Sequence, residues 1–224
     1  MECELLKSKS WPSVATGVSL PGLFTANGLL LRRKPCPIDD FMAKTYLLAF
    51  CFLSISETAL TEETMSEKGA RIVSTTASDI VKNLMTALND QKTVGALAFC
   101  KEQAIPITRS HSEKLNATIK RATDRSRNPK NLADQEELKY IRLFKKDLAK
   151  GKPLVPILVT VGDEHHYYSP IVTNNLCLQC HGSLKTDIQK DVALALKSLY
   201  PKDNATGYSS NELRGVFSVR WKSK

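Results

Sequence analysis

Residues 177–181 read Cys-Leu-Gln-Cys-His, and this short run constrains the chain more than any other part of it. Two residues separate its thiols, and an imidazole follows the second thiol directly. This spacing is the attachment signature of c-type haem, in which two thiols bond to the two vinyl groups of one porphyrin. The adjacent histidine then reaches the iron as its proximal ligand. The run therefore predicts that Cys177 and Cys180 carry haem c through thioether bonds and that His181 ligates the iron.

Two other uses of a C-x-x-C pair stay open at this point. A thioredoxin-like redox pair begins a helix after a strand of a βαβ unit. Here a polar Thr-Asn-Asn stretch at residues 173–175 precedes the pair, and no βαβ pattern surrounds it. A structural zinc site needs a second pair of ligands at short spacing, and Cys100 is the one other cysteine beyond the N-terminal region. Haem attachment is the preferred interpretation.

Haem c requires an oxidising compartment outside the cytoplasm, and reaching that compartment requires an export signal. Residues 42–44 provide a short, positively charged start, and residues 46–55 form an apolar stretch that is too short to cross a membrane. Small residues follow, with cleavage expected near Ser56 or Ala59. We expect residues 42–56 to be a Sec-type signal peptide and the mature protein to be periplasmic, without further membrane association.

Residues 1–41 lie upstream of this signal and show no sustained periodicity. We interpret them as an over-extended gene start or a disordered extension, with translation beginning at Met42. A twin-arginine signal at residues 32–33 is an alternative, although its apolar run begins late. A lipoprotein signal ending at Cys51 is another, although the bulky Phe50 stands where a small residue is required.

Loss of the signal peptide changes both the charge and the cysteine count. Residues 1–56 hold 6 of the 32 basic and 4 of the 23 acidic residues, so residues 57–224 keep 26 and 19 and a net charge of +7. The basic residues are not interleaved with aromatic ones, so a nucleic-acid interface is not predicted. A solvated basic surface is the simplest interpretation, and docking to an acidic redox partner or anionic lipid is the alternative.

Of the cysteines, only Cys100, Cys177 and Cys180 remain in residues 57–224. Haem attachment would use two of them, which leaves one thiol to be buried, paired between chains or bound to a ligand.

Hydrophobic periodicity predicts an α+β domain over residues 57–224. A long helix at 62–88 carries a heptad-like stripe (Val73, Ala77, Ile80, Leu84, Ala87), which is more typical of packing on its own domain than of a homodimer seam. The helix is predicted to break at residues 89–90. A second helix follows at 93–105, and Pro106 ends or kinks it. The remaining predicted elements are strands at 117–123, 154–161, 166–172 and 214–221 and helices at 134–149 and 188–199. Residues 162–164 (Gly-Asp-Glu) separate the second and third of these strands and predict that the two form a hairpin. Three or four antiparallel strands with helices to one side follow from this order, and the all-helical pattern of small electron-carrier cytochromes does not fit.

Several stretches together resemble a bacterial and cyanobacterial family of exported, single-haem c proteins with a PAS-like domain. The matching stretches are 96–100 with 105–107, 121–123 with 127–131, 177–182, 200–203 with 205–208, and 213–219. The resemblance covers about residues 62–220. One departure is the pair Asn211-Glu212, where the family has glycine followed by an acid, so a different turn is expected there.

The resemblance implies a PAS-like antiparallel sheet flanked by helices, with the iron held between His181 and a cysteine thiolate that matches Cys100. It also implies a redox or ligand sensor whose signalling or redox partner is unidentified. A thiolate ligand favours the ferric state, and its bond to iron should weaken on reduction, which would make the iron a switch. From the residues alone, a buried and inert thiol is an equal interpretation of Cys100.

Other residues are candidates for the distal iron ligand or for contacts to the haem propionates. His111 ranks second as a distal ligand, ahead of His165, His166, Met65 and Met85. For the propionates we predict Arg127, Arg214 and Tyr208, whose side chains can donate to carboxylates. Two functions follow: a haem-based sensor of redox state or a diatomic gas, or a periplasmic mono-haem electron-transfer cytochrome. No distal acid–base pair stands out, so an enzyme such as a peroxidase is not predicted.

Overall fold

A computed structural model describes residues 63–223 of the chain. The predicted extension, the signal peptide and Cys3, Cys36 and Cys51 lie outside these residues. The helices are α1 (Met65–Glu102), α2 (Ala104–Lys114), α3 (Gln135–Ala149), α4 (Asn175–His181) and α5 (Lys190–Leu199). The strands are β1 (Thr118–Ala122), β2 (Ile157–Val161), β3 (Glu164–Val172) and β4 (Leu213–Lys222), and a short 3-10 helix spans Pro129–Asn131.

The four strands form one sheet in the order β1-β4-β3-β2, and every neighbouring pair is antiparallel. The predicted hairpin is confirmed: β2 and β3 pair across a turn at Gly162, whose φ of 61° suits glycine. No pair of these strands forms a βαβ unit, so the thioredoxin-like context is not found within residues 63–223. The α+β class predicted from the periodicity is confirmed.

Helices cover both faces of the sheet, so the prediction of helices to one side is wrong. Ile72 of α1 packs on one face, against side chains of β1, β3 and β4 (Ile119, Tyr167, Phe217, Val219, Trp221). Ile141 and Phe144 of α3 pack on the other, against Ala122, Tyr168 and Val216. The physical reason lies in the central strands β3 and β4, whose apolar residues do not strictly alternate with polar ones, so both faces must be buried.

Helix α1 begins with a capping box, in which Thr64 accepts from the backbone of Glu67 and the Glu67 carboxylate accepts from the backbone of Thr64. Gly69 allows this helix to approach the sheet closely, because a Cβ there would lie 2.5 Å from the ring of Tyr167. In the predicted stripe, Ile80 and Ala87 are buried and the other members are half-buried. The stripe thus packs on its own domain, and the homodimer stays a prediction.

Two breaks interrupt the helical region differently from the prediction. The first is at Lys92 (φ 60°, ψ −171°), just after the predicted break at residues 89–90. The second is at Gln103, and Pro106 lies in the first turn of α2, where its missing N–H is tolerated. The helix predicted to end or kink at Pro106 does end, at Glu102, whose carbonyl is the one that Pro106 cannot bond, and a new helix then begins at Ala104. Residues 93–102, which include Cys100, form a short helical segment between the two breaks.

The turn before β4 shows how the departure from the family pattern is accommodated. Asn211 has a φ of 62°, a left-handed conformation that asparagine tolerates better than most residues. Its backbone N–H donates to the carbonyl of Thr173 at 2.8 Å.

No helix within residues 63–223 is long and apolar enough to cross a membrane.

Candidate functional site

The C-x-x-C-H run forms the short helix α4, which follows directly on strand β3. Asn174 caps this helix by accepting from the backbone N–H of Cys177 at 3.2 Å. The Cys177 thiol also donates to the Asn174 side chain at 3.3 Å. Gly182 ends the helix, and only glycine fits there, because a Cβ would lie 2.6 Å from the carbonyl oxygen of Leu178. The two thiols and the imidazole are thus presented from a single turn-and-a-half of helix.

His181 is held by its Nδ1, which donates to the carbonyl oxygen of Ala205 at 2.7 Å. Burial, followed by the positive charges of Arg127 and Arg214, holds the pKa of this imidazole well below its usual value of 6.5. His181 is therefore neutral at physiological pH, with the proton on Nδ1 and the lone pair on Nε2. A neutral imidazole with a free Nε2 is the form that ligates a metal ion.

Cys100 lies on the side of α4 that bears Cys180. Burial is the main reason that the pKa of Cys180 is raised to about 11; Arg127 lowers this pKa, and the nearby thiols of Cys100 and Cys177 contribute to raising it. Cys180 also packs against the apolar cluster that contains Leu97, three residues before Cys100. A contact between the Thr93 hydroxyl and the Gln179 amide oxygen at 3.3 Å joins the same two segments. The fold thus brings Cys100, 77 residues earlier in the chain, to the C-x-x-C-H helix.

The other predicted distal ligands have partners elsewhere. His111 Nε2 lies 2.9 Å from a carboxylate oxygen of Asp79, and this contact joins α2 to α1. His165 contacts Thr160 and Ser223, and His166 lies between the carboxylates of Glu136 and Glu164. Met65 and Met85 are exposed on α1.

The residues predicted to contact propionates surround His181. The Tyr208 ring meets the His181 ring edge-on, with centroids 6.3 Å apart. The guanidinium carbon of Arg214 lies 5.2 Å from the centre of the Tyr208 ring, and Arg214 Nη1 donates to the Thr123 hydroxyl at 2.8 Å. Arg127 Nε donates to a carboxylate oxygen of Asp203 at 3.0 Å, and both side chains are 10% exposed.

Sequence reasoning missed Arg121. Its Nε is buried without a hydrogen-bond partner. Burial lowers its pKa, whereas the negative charges of ionised Cys100 and Tyr200 would raise it. Arg121 follows Ile119 by two residues in β1, and Ile119 packs beneath α1. Because side chains alternate along a strand, this spacing was the signal that Arg121 points inward.

Arg121, Arg127 and Arg214, here called the arginine cluster, place three guanidinium groups near His181. Within residues 63–223, Arg127 is the member of this cluster that forms an ion pair, and its partner is Asp203. Tyr208 adds a buried hydroxyl without a partner. Such an arrangement can hold a ligand that carries two carboxylates, while Nε2 of His181 and the thiols remain available for bonding. Within the same residues, no three His, Cys, Asp or Glu side chains are grouped as ligands of one metal ion.

Comparison with known proteins agrees with this architecture. The crystal structure of the cyanobacterial haem protein Tll0287 matches with a TM-score of 0.53 and 17% sequence identity, over 70% of this chain and 94% of that one. At this identity the likeness shows the fold alone. No curated protein matches the chain. A family model described as Tll0287-like matches residues 57–221, nearly the whole domain, and the chain therefore belongs to the Tll0287-like family.

Proposed function

We propose that this chain is an exported haem c protein that senses redox state or a diatomic gas through an iron held between His181 and Cys100. The observation that carries the proposal is His181: a neutral imidazole with a free Nε2, set directly after two thiols and surrounded by the arginine cluster. The solved relative Tll0287 is a haem protein, which supports haem as the ligand of this chain. Export of residues 57–224 to the periplasm and a PAS-like frame are parts of the same proposal.

The residues present fit haem. Its two propionates would meet the unpartnered donors Arg121 Nε and Tyr208 Oη and the guanidinium of Arg214. Cys177 and Cys180 would form the thioethers, and His181 Nε2 would bind on the proximal side. When bound, haem supplies a redox-active iron that can also take a diatomic ligand.

The segment that bears Cys100 favours a sensor. Residues 93–102 lie between the break at Lys92 and the break at Gln103, so this segment can shift without bending the rest of α1. Burial raises the pKa of the Cys100 thiol, and the positive charges of Arg121 and Arg127 offset this only in part, so the thiolate would form as iron binding releases the proton. A change in the bond at Cys100 would be transmitted through this segment to a partner.

A periplasmic mono-haem electron-transfer cytochrome is the second candidate. The observation in its favour is the exposure of Gln179 and of Leu176, which is 39% exposed, on the motif helix. Haem thioethers at this surface would lie close enough to solvent for an electron-transfer partner to dock.

Absorption spectroscopy of the purified holoprotein tests the proposal, with and without dithionite and CO. We expect a haem c pyridine haemochrome, a ferric low-spin thiolate spectrum, and CO binding only after reduction. Cys100→Ala should lose the thiolate features, whereas the matched variant His111→Ala should keep them. Absence of the haemochrome would overturn the whole proposal. An unchanged spectrum in Cys100→Ala would remove Cys100 as the ligand and leave the electron-transfer cytochrome as the better candidate.

A further inference from the structure

We infer that Arg127 and Asp203 act together as a positioning pair for His181, and this inference rests on the proposed haem function. The pair joins three parts of the chain that are far apart in sequence: the loop after β1, the end of α4, and the segment 203–208. We call residues 203–208 the strap. The pair would set the strength with which His181 binds iron, through the hydrogen bond at the far side of the imidazole.

The strap lies along the end of the motif helix. The backbone N–H of Tyr208 donates to the carbonyl of His181 at 2.9 Å, and that of Gly207 donates to the carbonyl of Gly182 at 2.7 Å. Ala205, which is fully buried, supplies the carbonyl that accepts from Nδ1 of His181. The position of this single carbonyl therefore decides whether the imidazole keeps its hydrogen bond.

Asp203 and Arg127 fix that carbonyl from two sides. One carboxylate oxygen of Asp203 accepts from the backbone N–H of Ala205 at 2.8 Å, and the other accepts from Arg127 Nε at 3.0 Å. Arg127 Nη2 donates to the carbonyl of Cys180 at 2.6 Å and lies 3.4 Å from the carbonyl of Ala205. One buried guanidinium thus ties the last turn of α4, whose carbonyls lack partners within the helix, to the strap.

The chemical consequence follows from the direction of the hydrogen bond. Donation from Nδ1 to a carbonyl increases electron density on the imidazole and raises the basicity of Nε2. A more basic ligand stabilises the ferric state and lowers the reduction potential. If the pair is broken, the Ala205 carbonyl is no longer held, the iron–histidine bond weakens, and the reduction potential rises.

A simple charge effect would have the opposite sign for Arg127. Removal of a nearby positive charge stabilises ferric iron and lowers the potential, and a propionate contact made by Arg127 would give the same direction. Removal of the negative charge of Asp203 would raise the potential by charge alone. A positioning role therefore predicts that Arg127→Met and Asp203→Asn shift the iron–histidine bond in the same direction, although their charge changes are opposite.

The test is resonance Raman spectroscopy of the reduced holoprotein, together with the reduction potential from spectroelectrochemistry. We expect a lower iron–histidine stretching frequency and a higher potential in both Arg127→Met and Asp203→Asn. Arg125→Met is the matched control. Arg125 donates hydrogen bonds to the carbonyls of Asn204 and Thr206 in the same strap, but it makes no hydrogen bond to Ala205 or Cys180. Its iron–histidine frequency should equal that of the wild type.

A wild-type frequency in both Arg127→Met and Asp203→Asn would overturn the inference, whichever way their potentials move, and so would an equal shift in Arg125→Met. If Arg127→Met yields no holoprotein, Asp203→Asn provides the test. The amide oxygen of the asparagine can still accept from the backbone N–H of Ala205, so this variant keeps the local turn. Failure of the proposed function is distinguishable, since the wild-type protein would then hold no covalent haem at all.

Discussion

Two regions of this domain treat their charged side chains in different ways. In the first, which we call the ion-paired region, Arg220, His166 and Lys120 meet the carboxylates of Asp134, Glu136, Glu164 and Glu137 between α3 and the sheet. In the second, the arginine cluster around His181, three guanidinium groups have one ion pair among them, that of Arg127 with Asp203. Both contain a buried guanidinium nitrogen and a tyrosine hydroxyl without hydrogen-bond partners.

Because orphaned donors occur in both regions, they do not by themselves mark a ligand site. The balance of charge marks a ligand site, since buried charges that serve only the fold are normally paired with opposite charges. The ion-paired region therefore serves the fold, and the arginine cluster has the charge of a site for an anionic group. The following predictions test this difference, beginning with the largest effect.

Removal of both motif thiols should abolish covalent haem. In Cys177→Ser/Cys180→Ser no sulfur remains to form a thioether, so we expect no covalent haem. The measurement is haem staining after denaturing electrophoresis. Cys100→Ser is the control and should keep its covalent haem. Equal staining of the double variant and the wild type would contradict the proposed attachment.

Lys120→Met should strongly destabilise the ion-paired region. Lys120 Nζ lies 2.7 Å from Glu137, whose side chain is 2% exposed. Loss of the lysine leaves a buried carboxylate without its counter-charge, which costs about 3 kcal/mol. Urea unfolding measures this loss, and Lys146→Met on the exposed part of α3 should change the free energy of unfolding by less than about 0.5 kcal/mol. Similar values for the two variants would show that the pair does not stabilise the fold.

Arg121→Met should have the opposite effect on stability. Burial lowers the pKa of this guanidinium, which means that the folded chain holds its charge at a cost. We expect the haem-free protein to gain about 1 kcal/mol in its free energy of unfolding, because an apolar side chain of similar length replaces a buried charge. Haem incorporation should fall in the same variant. Destabilisation of the haem-free protein would mean that Arg121 serves the fold, as Lys120 does.

The ion-paired region should lose stability in acid. Burial tends to raise the pKa of Glu136 and of Asp134, but hydrogen bonds from His166 to Glu136 and from Glu137 and Arg220 to Asp134 outweigh it, and both pKa values are lowered. The folded state therefore binds fewer protons than the unfolded state near pH 4. The contribution is complete above the ordinary values of 4.5 and 3.8 and is lost as the pH falls through the folded values.

This acid effect should be small, at most about 1 kcal/mol, because the Asp134 and Glu136 side chains are 46% and 36% exposed. Urea unfolding at pH 6 and pH 3.5 measures it in the wild type and in Arg220→Met. The variant should show a smaller difference between the two pH values. An equal difference would show that Arg220 is not the group that lowers these pKa values.

Much of the fold could be predicted because its signals are local. The helix predicted at residues 134–149 is observed as α3, since Asp134 and Glu137 form a capping box and the apolar residues recur with helical spacing. The hairpin followed from Gly162 between two strand-like runs. Pro106 predicted the end of the helix that bears Cys100 but not the new helix that begins at Ala104, because a proline both interrupts the helix before it and is accepted in a first turn.

The site divides in the same way. The spacing of Cys177, Cys180 and His181 is a property of one short segment, and no later packing alters it. The neighbours of His181 come from distant segments, since Arg127 and Asp203 are 76 residues apart. The spacing of Arg121 from Ile119 places the two side chains on one face of β1, but only the packing of α1 shows that this face is the buried one.

The sequence by itself determined the spacing of the two thiols and the imidazole, the α+β class and most strand boundaries, because these depend on residue spacing and backbone preferences within a few turns of chain. Only the tertiary structure decided that Cys100 reaches the motif helix, that both faces of the sheet are covered, and that the arginine cluster keeps a net positive charge. These features depend on which distant segments share one buried volume, and packing of the whole chain selects among many arrangements that the local sequence allows equally.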